Sequence, residues 1–250
     1  MLKSNRILVI GDSCLDVFVY GAADRLCPDA PVPVFIAEYA KQNDGMAKNV
    51  YNNLKNLGAE CDIIDNKEVI IKTRYIDKKT NHMFLRVDSG EERIRRCRVL
   101  KDIRFAEYSA VVIADYNKGF LLEEDIEYIL QNHDVIFLDT KKLLKSWYDK
   151  VPFIKINETE FEKTKHLVTN TDNIIMTLGG KGCRYREQLY PVEKVEVKDP
   201  VGAGDTFISA LAFEYTKSQN ISQAIEFANK CATVVVQKRG VCVINEEMKG

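Results

Sequence analysis

Short apolar runs recur along the chain at residues 7–10, 110–114, 135–138, 153–156 and 173–178. They show no polar alternation, which is the signature of strands buried on both faces of a parallel sheet. Between them the period changes to that of a helix. Residues 47–57 place Val50, Leu54 and Leu57 on one face, 121–130 begins beside acidic residues, and 158–166 follows Asn157. Strand alternating with helix at this spacing predicts a doubly wound α/β fold with ligands at the carboxyl ends of the strands.

A second set of segments has the two-residue period of strands with no helix between: residues 17–20, 32–39, 69–77 and 82–88, with Lys78-Lys79-Thr80-Asn81 as a hairpin turn. They predict a small sheet projecting from the main one. Phe35, Ile36, Ile70, Ile71, Phe84 and Leu85 give it apolar surface that the layer beneath cannot cover on both faces. One face or edge is then open to a second copy, which predicts a homodimer through this sheet. Further helices are expected over 207–217 and 222–237, the latter opening with Ser222 and Gln223 and ending near Gly240. No repeat, low-complexity tract or linker interrupts residues 1–250, so one domain is expected.

Composition narrows the function classes. With 36 basic and 37 acidic residues and a net charge of -1, the chain lacks the basic surplus on which nucleic-acid binding draws. No apolar run approaches the ~20 residues of a membrane span. Met1-Leu2-Lys3-Ser4-Asn5-Arg6 leads straight into the first strand without a signal-peptide pattern. Cys14, Cys27, Cys61, Cys97, Cys183, Cys231 and Cys242 contain no CxxC pair and read as reduced, mostly buried residues. His82, His133 and His166 are isolated, which argues against a zinc site. A cytoplasmic protein without nucleic-acid or membrane partners is expected.

The chemistry concentrates in Asp199-Pro200-Val201-Gly202-Ala203-Gly204-Asp205-Thr206, just ahead of a helix. Backbone N–H groups of Gly202, Ala203 and Gly204 at a helix start favour an anion, most naturally a phosphate. A carboxylate beside that anion needs a reason, and a general base for a hydroxyl attacking phosphorus supplies one. The same run also reads as a Gly-rich turn with a helix N-terminal acid. Gly11-Asp12-Ser13-Cys14-Leu15-Asp16 follows the first strand, where Asp16 suits sugar hydroxyls and a turn with a capping acid is the alternative. Asp44-Gly45-Met46-Ala47-Lys48-Asn49 opens the next helix, with Asn49 offering donor and acceptor to a polyol, or merely solvated behind a helix cap. In Asn157-Glu158-Thr159-Glu160, Asn157 and Glu160 share a face and reach one hydrated Mg²⁺, or form an Asn cap with Glu at the third helical position. Thr177-Leu178-Gly179-Gly180-Lys181-Gly182 lets backbone approach a ring or phosphate, or is a plain turn; its spacing is not that of a Walker A loop.

The order of these motifs along the chain, from about Ile7 to Val243, closely resembles that of the ribokinase-like (PfkB) carbohydrate kinases. Tyr20-Gly21, Arg25-Leu26-Cys27-Pro28-Asp29-Ala30-Pro31-Val32-Pro33-Val34, Lys72-Thr73-Arg74, Leu85-Arg86-Val87-Asp88 and Asp115-Tyr116-Asn117-Lys118-Gly119 are similar to the heptose-7-phosphate kinase branch. The resemblance implies an ATP-dependent kinase that forms a sugar 1,7-bisphosphate from a heptose 7-phosphate, on the route to lipopolysaccharide precursors. It makes Asp205 the base and Gly202, Ala203 and Gly204 the anion hole. Asn157, Glu158, Thr159 and Glu160 would serve ATP and Mg²⁺, with Glu160 on the metal and a monovalent cation as a further candidate. Thr177, Gly179, Gly182 and Asn229 would flank the nucleotide. Asp16, Gly45 and Asn49 would hold the sugar, with Arg74, Arg86, Lys118 and Lys141 as candidates for its phosphate. The small sheet, drawn from about residues 13–40 and 68–90, would be a lid that also builds a dimer.

Two departures from the family pattern stand out. The usual paired glycines are replaced by Asp44-Gly45 followed by Met46, and Cys61 to Asp65 runs almost directly into Val69, where relatives insert a strand–helix–strand stretch. Activity is expected to survive that deletion, with a smaller sheet and an altered lid hinge. The nucleotidyltransferase sometimes fused to this branch is expected to be absent. The alternatives are a kinase for another small sugar or nucleoside, and a non-catalytic sugar-phosphate or nucleotide sensor.

Overall fold

The structure is a computed structural model that describes residues 6–238. The expected helix end near Gly240, Cys242 and Val243 lie outside the described residues. The chain begins β1 (Arg6–Gly11), β2 (Ser13–Leu26), β3 (Pro33–Met46), α1 (Ala47–Asn56) and β4 (Glu60–Asp65). It continues β5 (Ile71–Asp77), β6 (Met83–Ser89), β7 (Ala110–Asp115), α2 (Glu123–Asn132), β8 (Ile136–Thr140) and β9 (Phe153–Asn157). Then come α3 (Glu158–Thr164), β10 (Ile174–Thr177), β11 (Cys183–Tyr185), β12 (Gln188–Tyr190), α4 (Ala203–Ser218) and α5 (Ile221–Val235).

Eight strands form one sheet in the order β12-β11-β10-β9-β8-β7-β1-β4, parallel from β10 to β4 and antiparallel at the β11–β12 hairpin. Alternate side chains of its strands bury on opposite faces. Ile7, Val9, Val112 and Phe137 join a cluster with Val50 and Leu54 of α1, Ile208 and Leu211 of α4, and Ile225 and Ala228 of α5. Leu8, Ile10, Val111, Ile113 and Ile136 join the other, with Ile126 and Ile129 of α2 and Trp147 and Tyr148. Both faces are covered, which is why the strands read as unbroken apolar runs. No helix of the described residues is long and apolar enough to cross a membrane. Six described cysteines are free, five of them buried.

The second sheet has the order β3-β2-β5-β6, with only the β2–β5 pair parallel. On β2, Cys14, Asp16 and Phe18 are buried, as are Lys72, Arg74 and Ile76 on β5. The register puts Arg86 beside Arg74 and Asp88 beside Lys72, while Leu85 and Val87 fall on the opposite face. Ile36, Leu85 and Phe84 are exposed, but Ile70, expected among the open apolar residues, is fully buried beside Cys14 and Met46.

Several elements differ from expectation. β4 and the β11–β12 hairpin were not anticipated. β4 mixes acidic and apolar residues because it is a sheet edge, and strands of three residues show no period. Asp44 and Gly45 belong to β3 rather than to a helix start: pairing of β2 with β3 continues to Ser13 opposite Met46, and α1 begins at Ala47 without a side-chain cap. α3 ends at Thr164 and gives way to a 3₁₀ turn. α4 starts four residues early, at Ala203. Asn220, not Ser222, caps α5, and the Ser222 hydroxyl instead meets that of Tyr190 at 2.8 Å.

Where a longer insertion was expected in relatives, residues 66–70 alone join β4 to β5. Asn66 is buried in this step. Its Oδ1 accepts from the Ser13 N–H at 2.6 Å, and its Nδ2 donates to the carbonyls of Ser13 (3.1 Å) and Glu68 (2.6 Å). One side chain thus ties together two of the crossings between the sheets, from β1 to β2 and from β4 to β5. Replacing Asn66 by Ala strands buried donors and acceptors, which costs about 1–3 kcal/mol. Denaturant unfolding should show that loss, and hydrogen exchange should rise first at the start of β5; unchanged exchange there would show that the pin is dispensable.

Candidate active site

Asp205 lies in the first turn of α4, with Gly202 as the N-cap at φ +83° and no side-chain cap. Thr206 N–H closes the first turn on the Gly202 carbonyl, and Ala203 N–H is taken by the Pro200 carbonyl at 3.2 Å. That bond removes Ala203 from the expected anion hole and leaves the N–H groups of Gly202 and Gly204 as its candidates. The Asp205 carboxylate is buried. Asn49 Nδ2 of α1 donates to its Oδ2 at 2.9 Å, and the Tyr116 hydroxyl donates to its Oδ1. Burial pushes this carboxyl above its usual range, and the bonds from Tyr116 and Asn49 oppose the push. Asn49 is itself steadied by Asn53 one turn on, whose Nδ2 donates to Asn49 O at 2.8 Å and Oδ1 at 3.2 Å.

A chain of charges runs beside α4. Asp139, at the end of β8, binds Lys155 Nζ at 2.6 Å and Lys141 Nζ at 3.2 Å, and Lys141 also pairs with Glu160. Burial opposes ionisation of Asp139, but the two lysines hold its carboxyl below the ordinary value. Lys155 reaches the start of α4: its Nζ lies 2.7 Å from the place a Cβ on Gly204 would take. Its cation is therefore beside the helix start where an anion was expected. Sequence reasoning missed Lys155, although a lysine inside the apolar run Phe153-Ile154-Lys155-Ile156 was a visible signal. Lys141, expected at the sugar's phosphate, stands instead among these carboxylates.

On the other side of Asp205, Asp16 Oδ1 accepts from Arg74 Nη1 at 2.5 Å. Gly45 is needed here, because an added Cβ would lie 2.2 Å from Asp16 Oδ2 and 2.7 Å from Cys14 Sγ. Met46, where the family pattern has glycine nearby, adopts φ +62°. Asp44 turns away to Asn52 at 3.0 Å. Arg86 makes a two-pronged pair with Asp88, both bonds at 2.7 Å, and Lys118 pairs with Glu91 at 2.6 Å. Lys72, not singled out as a candidate on its own, is buried with Nζ 5.3 Å from the Tyr116 ring centroid. Asp12 serves the turn: its carboxylate accepts from the N–H groups of Tyr116 (2.7 Å), Lys118 (3.4 Å) and Phe120 (3.4 Å).

A cavity of about 560 Å³ opens on the far side of α4, lined by Asn157, Thr177, Gly179, Gly182, Ala203, Gly204 and Asn229. Val192, Val195, Val197, Ala232 and Val236 supply its apolar walls and were missed, since the 191–198 segment carries no regular structure. Gly182 answers a local need, because a Cβ there would lie 2.0 Å from Tyr190 O at φ +91°. Asn229 Nδ2 donates to the same carbonyl at 2.9 Å and holds the end of β12 against α5. Asn157 and Glu160 form the reciprocal cap: Glu160 N–H meets Asn157 Oδ1 at 2.8 Å, and Asn157 N–H meets Glu160 Oε2 at 3.0 Å. Glu158 and Thr159 are exposed on the outer side of that turn and do not line the cavity, contrary to expectation. No group of three or more His, Cys, Asp or Glu side chains is gathered for a metal among the described residues.

The bifunctional protein HldE of Helicobacter pylori is 31% identical over 300 residues, covering 97% of this chain and 65% of that protein. This chain therefore spans less than two thirds of the curated relative's length. An alignment of 300 residues against a chain of 250 leaves at least 50 residues of the relative without counterpart. A ribokinase from Thermotoga maritima shares the fold, with a TM-score of 0.73 at 16% identity and 97% of each chain covered. So does Arabidopsis thaliana ribokinase complexed with ribose and ATP, with a TM-score of 0.69 at 14% identity over 95% of this chain and 94% of that one. The model of the pfkB family carbohydrate kinases matches residues 71–248, and with the ribokinase-like fold around Asp205 this shows that the chain belongs to that family.

Proposed function

We propose that this chain is an ATP-dependent sugar kinase whose acceptor is a heptose 7-phosphate, phosphorylated at the anomeric hydroxyl to the 1,7-bisphosphate. The observation that carries the reading is the placement of Asp205. It is a buried carboxylate at a helix start, with a nucleotide-sized cavity on one side and the cation-rich face of the small sheet on the other. The ATP bound by Arabidopsis ribokinase and the likeness to HldE support donor and acceptor.

The purine fits between the valines of the 191–198 segment and the α5 face of Ala232 and Val236, which leads the phosphates toward Gly204. Gly202 and Gly204 N–H groups and the Lys155 ammonium then stabilise charge on the transferring phosphoryl. Asp205 takes the proton of the acceptor hydroxyl as its oxygen bonds to phosphorus and the bond to the ADP oxygen breaks. Asp16 and Asn49 hold sugar hydroxyls, and Lys72, Arg74, Arg86 and Lys118 offer a surplus of cations to the acceptor's own phosphate. Glu160 would hold a hydrated Mg²⁺ through Oε1, the oxygen outside the cap, in exchange for its pairing with Lys141. When bound, that ion neutralises the nucleotide's phosphate oxygens. The small sheet acts as the lid, and a second copy covers its apolar side, where Leu85 and Val87 are exposed.

Purified protein with ATP, Mg²⁺ and a panel of sugars, sugar phosphates and nucleosides should consume ATP with heptose 7-phosphate. Turnover of another acceptor alone would reassign the substrate, and no turnover with any would favour a sensor. Asp205→Asn should fold and bind ATP but lose roughly 10²–10⁴-fold in turnover. Glu160→Gln keeps the cap, because glutamine also accepts at that position, and should raise the Mg²⁺ requirement more than the acceptor requirement. An unchanged Mg²⁺ response would confine Glu160 to capping and to Lys141. Light scattering should find a dimer at tens of micromolar; an active monomer there would show that the sheet works alone.

A further inference from the structure

An ionised carboxylate offers about four lone-pair positions, and two of those on Asp205 are met by fixed donors from different elements. Asn49 of α1 holds Oδ2 and the Tyr116 hydroxyl holds Oδ1. Donors on both oxygens stop rotation of the carboxylate about its Cβ–Cγ bond. Tyr116 is well placed for this. Its N–H is anchored on buried Asp12 at 2.7 Å, and its ring has Lys72 Nζ at 5.3 Å and Lys141 Nζ at 5.2 Å from the centroid. Both distances are within cation–π range. Lys72 comes from the small sheet and Lys141 follows β8 of the large one, so the ring is held by cations from both.

We propose that Tyr116 is a positioning residue for Asp205, whose hydroxyl fixes the carboxylate plane and favours its ionised form so that a remaining lone pair meets the acceptor hydroxyl. This rests on the reading of Asp205 as the base. The groups acting on Asp205 are Tyr116 from the loop after β7, uncharged Asn49 from α1, Asp139 from β8, Lys155 from β9 and the Cys14 thiol from β2. Burial and Asp139 favour the neutral acid, whereas Tyr116, Asn49 and Lys155 favour the anion. Phenylalanine at position 116 removes one anion-favouring donor and leaves the ring between its lysines.

The test is a carboxyl-carbon NMR titration of protein carrying isotope-labelled aspartate, with the Asp205 signal assigned by its absence in Asp205→Asn. In Tyr116→Phe the Asp205 midpoint should rise by about one to two pH units. The acid limb of kcat should move up with it, while KM for the acceptor and the thermal midpoint stay near wild type. An Asp205 midpoint equal in the two proteins overturns the proposal, as does an acid limb that stays in place when the midpoint moves. The titration needs no acceptor, so it stands apart from the base assignment, which fails instead if Asp205→Asn keeps turnover.

Discussion

A carboxylate buried at the start of α4 tends to lose its charge, and the surrounding elements are arranged against that tendency. Taking an ion out of water is costly unless donors replace the water. Asp205 finds them on α1 and in the loop after β7, two elements that meet only because the strands between them are parallel and end together. The donors are supported in turn. Asn53 steadies Asn49, and Asp12 gathers three backbone N–H groups of the loop that carries Tyr116. Three successive layers of polar groups, Asp205, then Asn49 and Tyr116, then Asn53 and Asp12, are therefore packed where each must be satisfied by the next.

The same logic explains the charges beside α4. Lys155 would be expensive in the middle of the sheet without Asp139, and Asp139 would be equally so without Lys155 and Lys141. Together they put a cation against Gly204 while keeping the local charge nearly balanced.

The short step from β4 to β5 lies away from the strands that carry the candidate site. Those parallel strands run from β10 to β1, and the step falls beyond them, next to the edge strand β4. What the shortened path needs is a fixed crossing between the sheets, and Asn66 provides it with three hydrogen bonds.

The layered α/β core was legible from the sequence because a strand buried on both faces is apolar at most positions, whatever its neighbours are. The glycines and Asp205 at the start of α4 were legible for a related reason: a helix start with free N–H groups is a local property of a few consecutive residues. Asp205 in contact with Asn49, 156 positions away, was not visible in that way, nor was Tyr116 between Lys72 and Lys141. Both depend on which strand ends the topology brings together. The choice between cap and metal ligand at Asn157 and Glu160 was also open, because one spacing serves both; the folded chain makes the cap and adds Lys141, just after β8, as a partner. Arg74 and Arg86 were already candidates on β5 and β6, but that they share one face with Lys72 and Asp88 while Leu85 and Val87 take the other was decided by the strand pairing. Local backbone demands and burial on both faces are written residue by residue, whereas the partners of a buried charge are chosen by the fold, since the groups that must replace its water come from distant parts of the chain.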